Sequence, residues 1–132
     1  MRREATGEGL IAFLETMRLM RDKCAWKAQQ THESLVPFLT EEAQEVVEAI
    51  HEGDPEHLRE ELGDLLLQVY FHAAIAEENG EFTIDDVVHD LTEKMIRRNP
   101  HVFGDVRADT VEEVEAVWQA AKAAERTTTE AP

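Results

Sequence analysis

Apolar residues recur along this chain at intervals of three and four, and no segment alternates as a strand would. Leu10, Phe13, Leu14, Met17 and Met20 predict a first amphipathic helix, and residues 23–31 read as a loop. A second helix is expected over residues 34–52, with Pro37 tolerated in its first turn and Gly53 as its stop. Asp54-Pro55 then reads as a cap followed by proline at the first position of a third helix, which runs to about residue 79 and ends at Gly80. Thr83 with Asp86 opens a fourth helix that stops before Asn99-Pro100. Thr110 with Glu113 opens a last one through about residue 125, and residues 127–132 are expected to fray. The expected fold is all-α, a four- to five-helix single domain over residues 1–132.

The third helix is unusual in being apolar nearly all round. Leu58, Leu62, Leu65, Leu66, Val69, Ala73 and Ala76 form a wide face, and Phe71 and Ile75 fall on another side with Glu61, Asp64 and Gln68. Such a helix is normally buried all round, yet a chain this short cannot easily surround one helix alone. Subunit association is therefore expected, as a dimer or a dimer of dimers forming an oligomeric helical bundle, with Leu65, Val69 and Phe71 near the contacts. On the second helix, Leu39, Ala43, Val46, Val47 and Ile50 are expected to form the core stripe, opposite Glu41, Glu45, Glu48 and Glu52.

Carboxylates change the picture. Glu42 and Glu45 are one turn apart on the second helix, and Glu61 and Asp64 are one turn apart on the third. Side chains so spaced share a face and repel one another unless a cation neutralises them. Glu48 and Glu52 suit an ordinary solvated face, but the Glu61/Asp64 pair lies among apolar neighbours, where bare charge is costly. Two such pairs supply the hard oxygen ligands that Mg²⁺ or Mn²⁺ prefers.

Charge and composition narrow the partners. A net charge of −16 and a pI near 4.6 argue against binding nucleic acid or an anionic membrane. A phosphate substrate would have to arrive through a divalent ion or a local basic patch. The single cysteine, Cys24, excludes an intrachain disulfide and suits a reducing cytoplasm. Glu4, Glu8, Glu15 and Arg18 interrupt any signal-peptide core, and the most apolar stretch, residues 65–76, is too short to span a bilayer. His32, His51 and His72 are poor ligand candidates. Glu48-x-x-His51 has no second Glu-x-x-His element to complete a di-iron site, His72 suits a helix interface, and His32 suits a loop-to-helix hydrogen bond.

Together, Glu41-Glu42-x-x-Glu45 and Glu61-x-x-Asp64 resemble the signature of the all-α nucleoside triphosphate pyrophosphohydrolases, and within them the MazG group. The resemblance spans residues 10–125. It includes Trp26, Gln30-Thr31-His32-Glu33-Ser34-Leu35, Glu60-Glu61-Leu62-Gly63-Asp64-Leu65-Leu66, Phe71-His72-Ala73, and the run from Ile96-Arg97-Arg98 through Asn99-Pro100-His101 to Val102-Phe103-Gly104. One departure is Cys24-Ala25-Trp26-Lys27, where the family commonly has Cys-Pro-Trp-Asp.

The resemblance implies cleavage of a (deoxy)nucleoside triphosphate to the monophosphate and pyrophosphate, in nucleotide-pool house-cleaning. It implies Glu42, Glu45, Glu61 and Asp64 as Mg²⁺ ligands and Glu41 or Glu60 as the group that orients the attacking water. Lys94 and Arg98 match cationic contacts to the triphosphate, with Arg97 able to serve instead of Arg98. Their other reading is a favourable interaction with the helix C-terminal dipole. Trp118 matches a tryptophan lying against the nucleotide, although its stripe with Val111, Val114 and Val117 suits core packing equally. The runner-up readings are a phosphoribosyl-ATP pyrophosphohydrolase and a non-catalytic helical module that keeps the motif as a structural metal site.

Overall fold

A computed structural model describes residues 3–130, excepting the side chains of 128–130, and is all-α: among the described residues there is no strand. The elements are α1 (Glu8–Lys23), α2 (Ala25–Ala28), α3 (His32–Glu52), α4 (Pro55–Glu78), α5 (Ile84–Arg98), α6 (Pro100–Phe103) and α7 (Val111–Glu130). They fall into two compact units, one ending at Ile84 and the other beginning at Asp85. No helix among the described residues is long and apolar enough to cross a membrane.

Local chemistry sets the boundaries. The Thr31 hydroxyl accepts from the Ser34 amide at 3.1 Å, and Ser34 Oγ accepts from the Thr31 amide at 2.8 Å, a reciprocal cap that starts α3 at His32. Pro37 therefore lies in the second turn, not the first, and the Glu33 carbonyl one turn back loses its helical donor; both residues are exposed, where water can replace it. Gly53 ends α3 at φ 79°, the left-handed conformation that glycine adopts freely. Asp54 Oδ1 accepts from the Glu56 amide at 3.0 Å, and Pro55 opens α4. The expected loop over residues 23–31 contains the one-turn α2, and a second one-turn helix, α6, follows Asn99. Helix α7 extends to Glu130, past the expected end near residue 125; Ala131 and Pro132 lie outside the described residues.

In the first unit, α4 packs against both α1 and α3. Met17, Leu35, Phe71, Ala49 and Ala76 are the most deeply buried side chains. Ala73, Ala74 and Ala76 are small enough to let the neighbouring helices approach α4 closely. Tyr70 donates its hydroxyl to the Leu10 carbonyl at 3.0 Å and meets Phe13 edge-on at 4.9 Å. Arg21 lies over the Phe71 ring and grips Glu78 with two hydrogen bonds of 2.7 and 2.8 Å, while Arg18 pairs with Glu77. The Arg21 pairing holds Glu78 below the usual carboxylate range.

Two expectations about phase are corrected. The inward face of α3 carries Leu35, Val46 and Ala49 with the half-buried Glu42 and Glu45, whereas Leu39, Val47 and Ile50 are 38%, 42% and 57% exposed. On α4 the inward face is Glu61, Gln68, Phe71 and Ile75, whereas Leu62, Leu66 and Val69 point outward. Phe71, expected near a subunit contact, is thus covered by the chain's own helices. Both errors have one cause: an apolar stripe signals burial without saying by what, and the carboxylate faces turn to each other across the α3–α4 seam.

The second unit is held by polar contacts. Glu125 on α7 accepts from Arg97 Nε at 2.7 Å and from Arg98 Nη2 at 2.8 Å. Trp118 Nε1 donates to Asn99 Oδ1 at 2.7 Å. None of its residues from Asp85 to Thr127 is fully buried, and Val88, Leu91, Val102 and Phe103 are more than half exposed.

Candidate metal centre

The site is built on the α3–α4 hairpin. With only Gly53 and Asp54 between the helices, Glu45 and Glu61 each lie about two turns from the connection, and Glu42 and Asp64 about three. The two pairs therefore meet at matching levels. One carboxylate oxygen from each of Glu42, Glu45, Glu61 and Asp64 lies within 4.8 Å of all the others. Glu61 is 8% exposed, the most buried of the four.

Electrostatics strain this arrangement. Burial, then the carboxylates of Glu45, Asp64 and Glu61, pushes Glu42 up to about 7. Burial and Glu45 also raise Glu61, opposed by a hydrogen bond from His57. Glu42 Oε2 and Glu61 Oε2 are buried with no hydrogen-bond partner. Buried carboxylate oxygens without donors are costly, and a divalent cation is the partner this donor set fits: four hard oxygens and high negative charge. Glu41 and Glu60 are exposed and lie outside the four-residue cluster, on the same helices as its members.

Sequence reasoning missed His57. Its Nδ1 is 2.5 Å from Glu52 Oε2 and its Nε2 is 3.2 Å from Glu61 Oε1. Glu52, more than Glu61, raises the pKa of His57. The available signal was His57-x-x-x-Glu61, a one-turn spacing on α4. His32 and His72 instead pair with each other, Nδ1 to Nδ1 at 2.8 Å with stacked rings, and burial lowers the pKa of His72. His51 is exposed and takes no part in the cluster.

The second unit carries the basic candidates. Arg98, Asn99, Met95, Trp118 and Lys122 line a cleft of about 220 Å³. A second hollow of about 290 Å³ lies beside Trp118, lined by residues 108–111 and Val114. Trp118 is 41% exposed. Arg98 lines the cleft and Arg97 does not. The Arg98 hydrogen bonds, then those of Arg97, hold Glu125 down to about 2. Lys94 is half-buried on α5, one turn before Arg98. Lys122 was missed, although it lies one turn beyond Trp118.

Comparison with known proteins bears on the family and the fold. The family model described as the MazG nucleotide pyrophosphohydrolase domain matches residues 30–103, more than half of the chain. The nucleoside triphosphate pyrophosphohydrolase/pyrophosphatase MazG of Thermotoga maritima is 55% identical over 98 residues, covering 74% of this chain and 38% of that protein. The nucleoside triphosphate pyrophosphohydrolase of Escherichia coli K12 is 40% identical over 117 residues, 89% of this chain and 44% of that protein. The chain spans half or less of the length of these relatives. A solved structure of a mazG-related protein from Thermotoga maritima superposes with a TM-score of 0.73 at 29% identity, covering 86% of this chain and 98% of that one.

Proposed function

The chain belongs to the MazG nucleotide pyrophosphohydrolase family, and from that premise we propose that it hydrolyses (deoxy)nucleoside triphosphates to the monophosphate and pyrophosphate, with Mg²⁺ or Mn²⁺ held by Glu42, Glu45, Glu61 and Asp64. The observation that carries the reading is the cluster itself: four carboxylates from two helices, two of them with buried, unpartnered oxygens. A divalent ion bound there would neutralise phosphate charge and lower the pKa of a bound water. Glu41 or Glu60 would orient the attacking water, each on the same helix as a ligand pair. Lys94 and Arg98 would supply positive charge to the triphosphate, and Lys122 and Trp118, lining the same cleft as Arg98, would add a further cation and an aromatic face. We place this activity in the cytoplasm, in nucleotide-pool house-cleaning, with residues 1–132 acting as one functional domain.

Product identity tests the reaction. Incubation with each common nucleoside triphosphate and Mg²⁺, followed by ³¹P NMR, should show monophosphate and pyrophosphate and no diphosphate intermediate. Orthophosphate with accumulating diphosphate would overturn the bond assignment.

Self-association belongs to the same reading. Leu39, Val47 and Ile50 on α3 and Leu62, Leu66 and Val69 on α4 leave apolar area exposed along one hairpin, and no described side chain of the second unit from Asp85 to Thr127 is fully buried. Sedimentation at micromolar concentration should show a dimer or a dimer of dimers, and Val69→Glu should shift it towards monomer. A stable wild-type species of 15.0 kDa would refute this.

A further inference from the structure

The two oxygens of Glu61 have different surroundings. Oε1 faces His57 Nε2 at 3.2 Å, while Oε2 is buried and unpartnered. His57 is itself fixed from its other side, where Nδ1 meets Glu52 Oε2 at 2.5 Å. Glu52 is the last residue of α3 and His57 lies in the first turn of α4, so the contact closes over the Gly53-Asp54 connection. The chain Glu52–His57–Glu61 therefore runs from the end of the hairpin into the carboxylate cluster. A glutamate has three side-chain torsions and two equivalent oxygens, so without a restraint it can turn either oxygen outward or swing away.

We propose that His57, braced by Glu52, is a positioning residue that donates to Glu61 Oε1 and so leaves Oε2 as the oxygen presented to the divalent ion. The proposal rests on the metal-site reading of the cluster. Its physical basis is general: a ligating carboxylate bound by an outer hydrogen bond loses less freedom when it meets the ion, and removal of such partners typically weakens metal affinity by about 10–100-fold. Neither Glu52 nor His57 belongs to the four-residue ligand set.

Calorimetric titration of Mn²⁺ into the metal-free protein reads the effect without turnover. His57→Leu, which keeps bulk and removes the donor, should weaken binding roughly 10–100-fold. His57→Gln, which can still donate an N–H one turn along the helix, should recover most of the loss. Glu52→Ala, at an exposed helix end, should weaken binding several-fold through a less well fixed imidazole. Wild-type affinity in His57→Leu, or equal weakening in the Leu and Gln variants, would overturn the positioning role. If His57→Leu does not fold, Glu52→Ala decides, and unchanged affinity there rejects the proposal. Asp64→Asn separates the two levels. Unchanged Mn²⁺ binding in that variant would remove the metal site itself, whereas loss in Asp64→Asn with none in His57→Leu would remove only the role of His57.

Discussion

Asp64→Asn should reduce turnover by roughly 10³-fold, equivalent to about 4 kcal/mol of transition-state stabilisation, while making the metal-free protein more stable. The two effects share one cause. The four carboxylates are partly desolvated and, with oxygens within 4.8 Å, repel one another, which pushes Glu42 up to about 7. Removing one charge relieves the repulsion, and a gain of about 1 kcal/mol would raise the melting temperature by roughly 3–6 °C. The pH dependence follows from the direction of the Glu42 shift. Its pKa is higher folded than unfolded, so the folded state binds more protons between about 4.5 and about 7, and metal-free stability falls as pH rises through that window. Divalent ions compete with that proton, so their stabilising effect should grow over the same range. Thermal melts with and without Mn²⁺, beside initial rates, check all of this. Near-normal turnover in Asp64→Asn, or in wild type with excess EDTA, would sink the metal assignment.

Lys94→Ala and Arg98→Ala should each lower kcat on a triphosphate by about 10²-fold, if each is worth about 2.7 kcal/mol as charge develops on the departing pyrophosphate. Metal affinity should persist in both, because neither residue belongs to the carboxylate cluster. The alternative is that these cations serve only the C-terminal end of α5, a contribution of about 0.3–1 kcal/mol to stability. Rates within twofold of wild type, with a small drop in melting temperature, would favour that alternative. Arg98 is the less clean probe, since it also holds Glu125 at 2.8 Å, so Lys94→Ala carries the comparison. Steady-state kinetics with parallel Mn²⁺ titration separates the outcomes.

The helix order was legible because its signals are local: Gly53, Asp54-Pro55 and Thr110/Glu113 act within one turn of themselves, and all appear where spacing placed them. The carboxylate pairs were legible for the same reason. What failed was the rotation of α3 and α4 about their axes. Val47, Ile50, Leu62 and Leu66 look like core in a linear reading, because an apolar stripe has the same composition whether the fold turns it inward or leaves it exposed. His57 was hidden differently: its one-turn spacing to Glu61 looks like any helix-surface pair, and its contact to Glu52 crosses a turn, so only closure of the hairpin fixes the imidazole from both sides. The α2 helix, Ala25–Ala28, is too short for any periodicity to show.

The two-residue connection between α3 and α4 also bears on how the protein folds. Every carboxylate of the cluster lies between Glu42 and Asp64, so assembling the site requires closure of one short loop and no distant part of the chain. Loop-closure entropy is small at that separation, and local contacts of this kind form early in helical proteins. The centre can thus take shape as soon as the hairpin does.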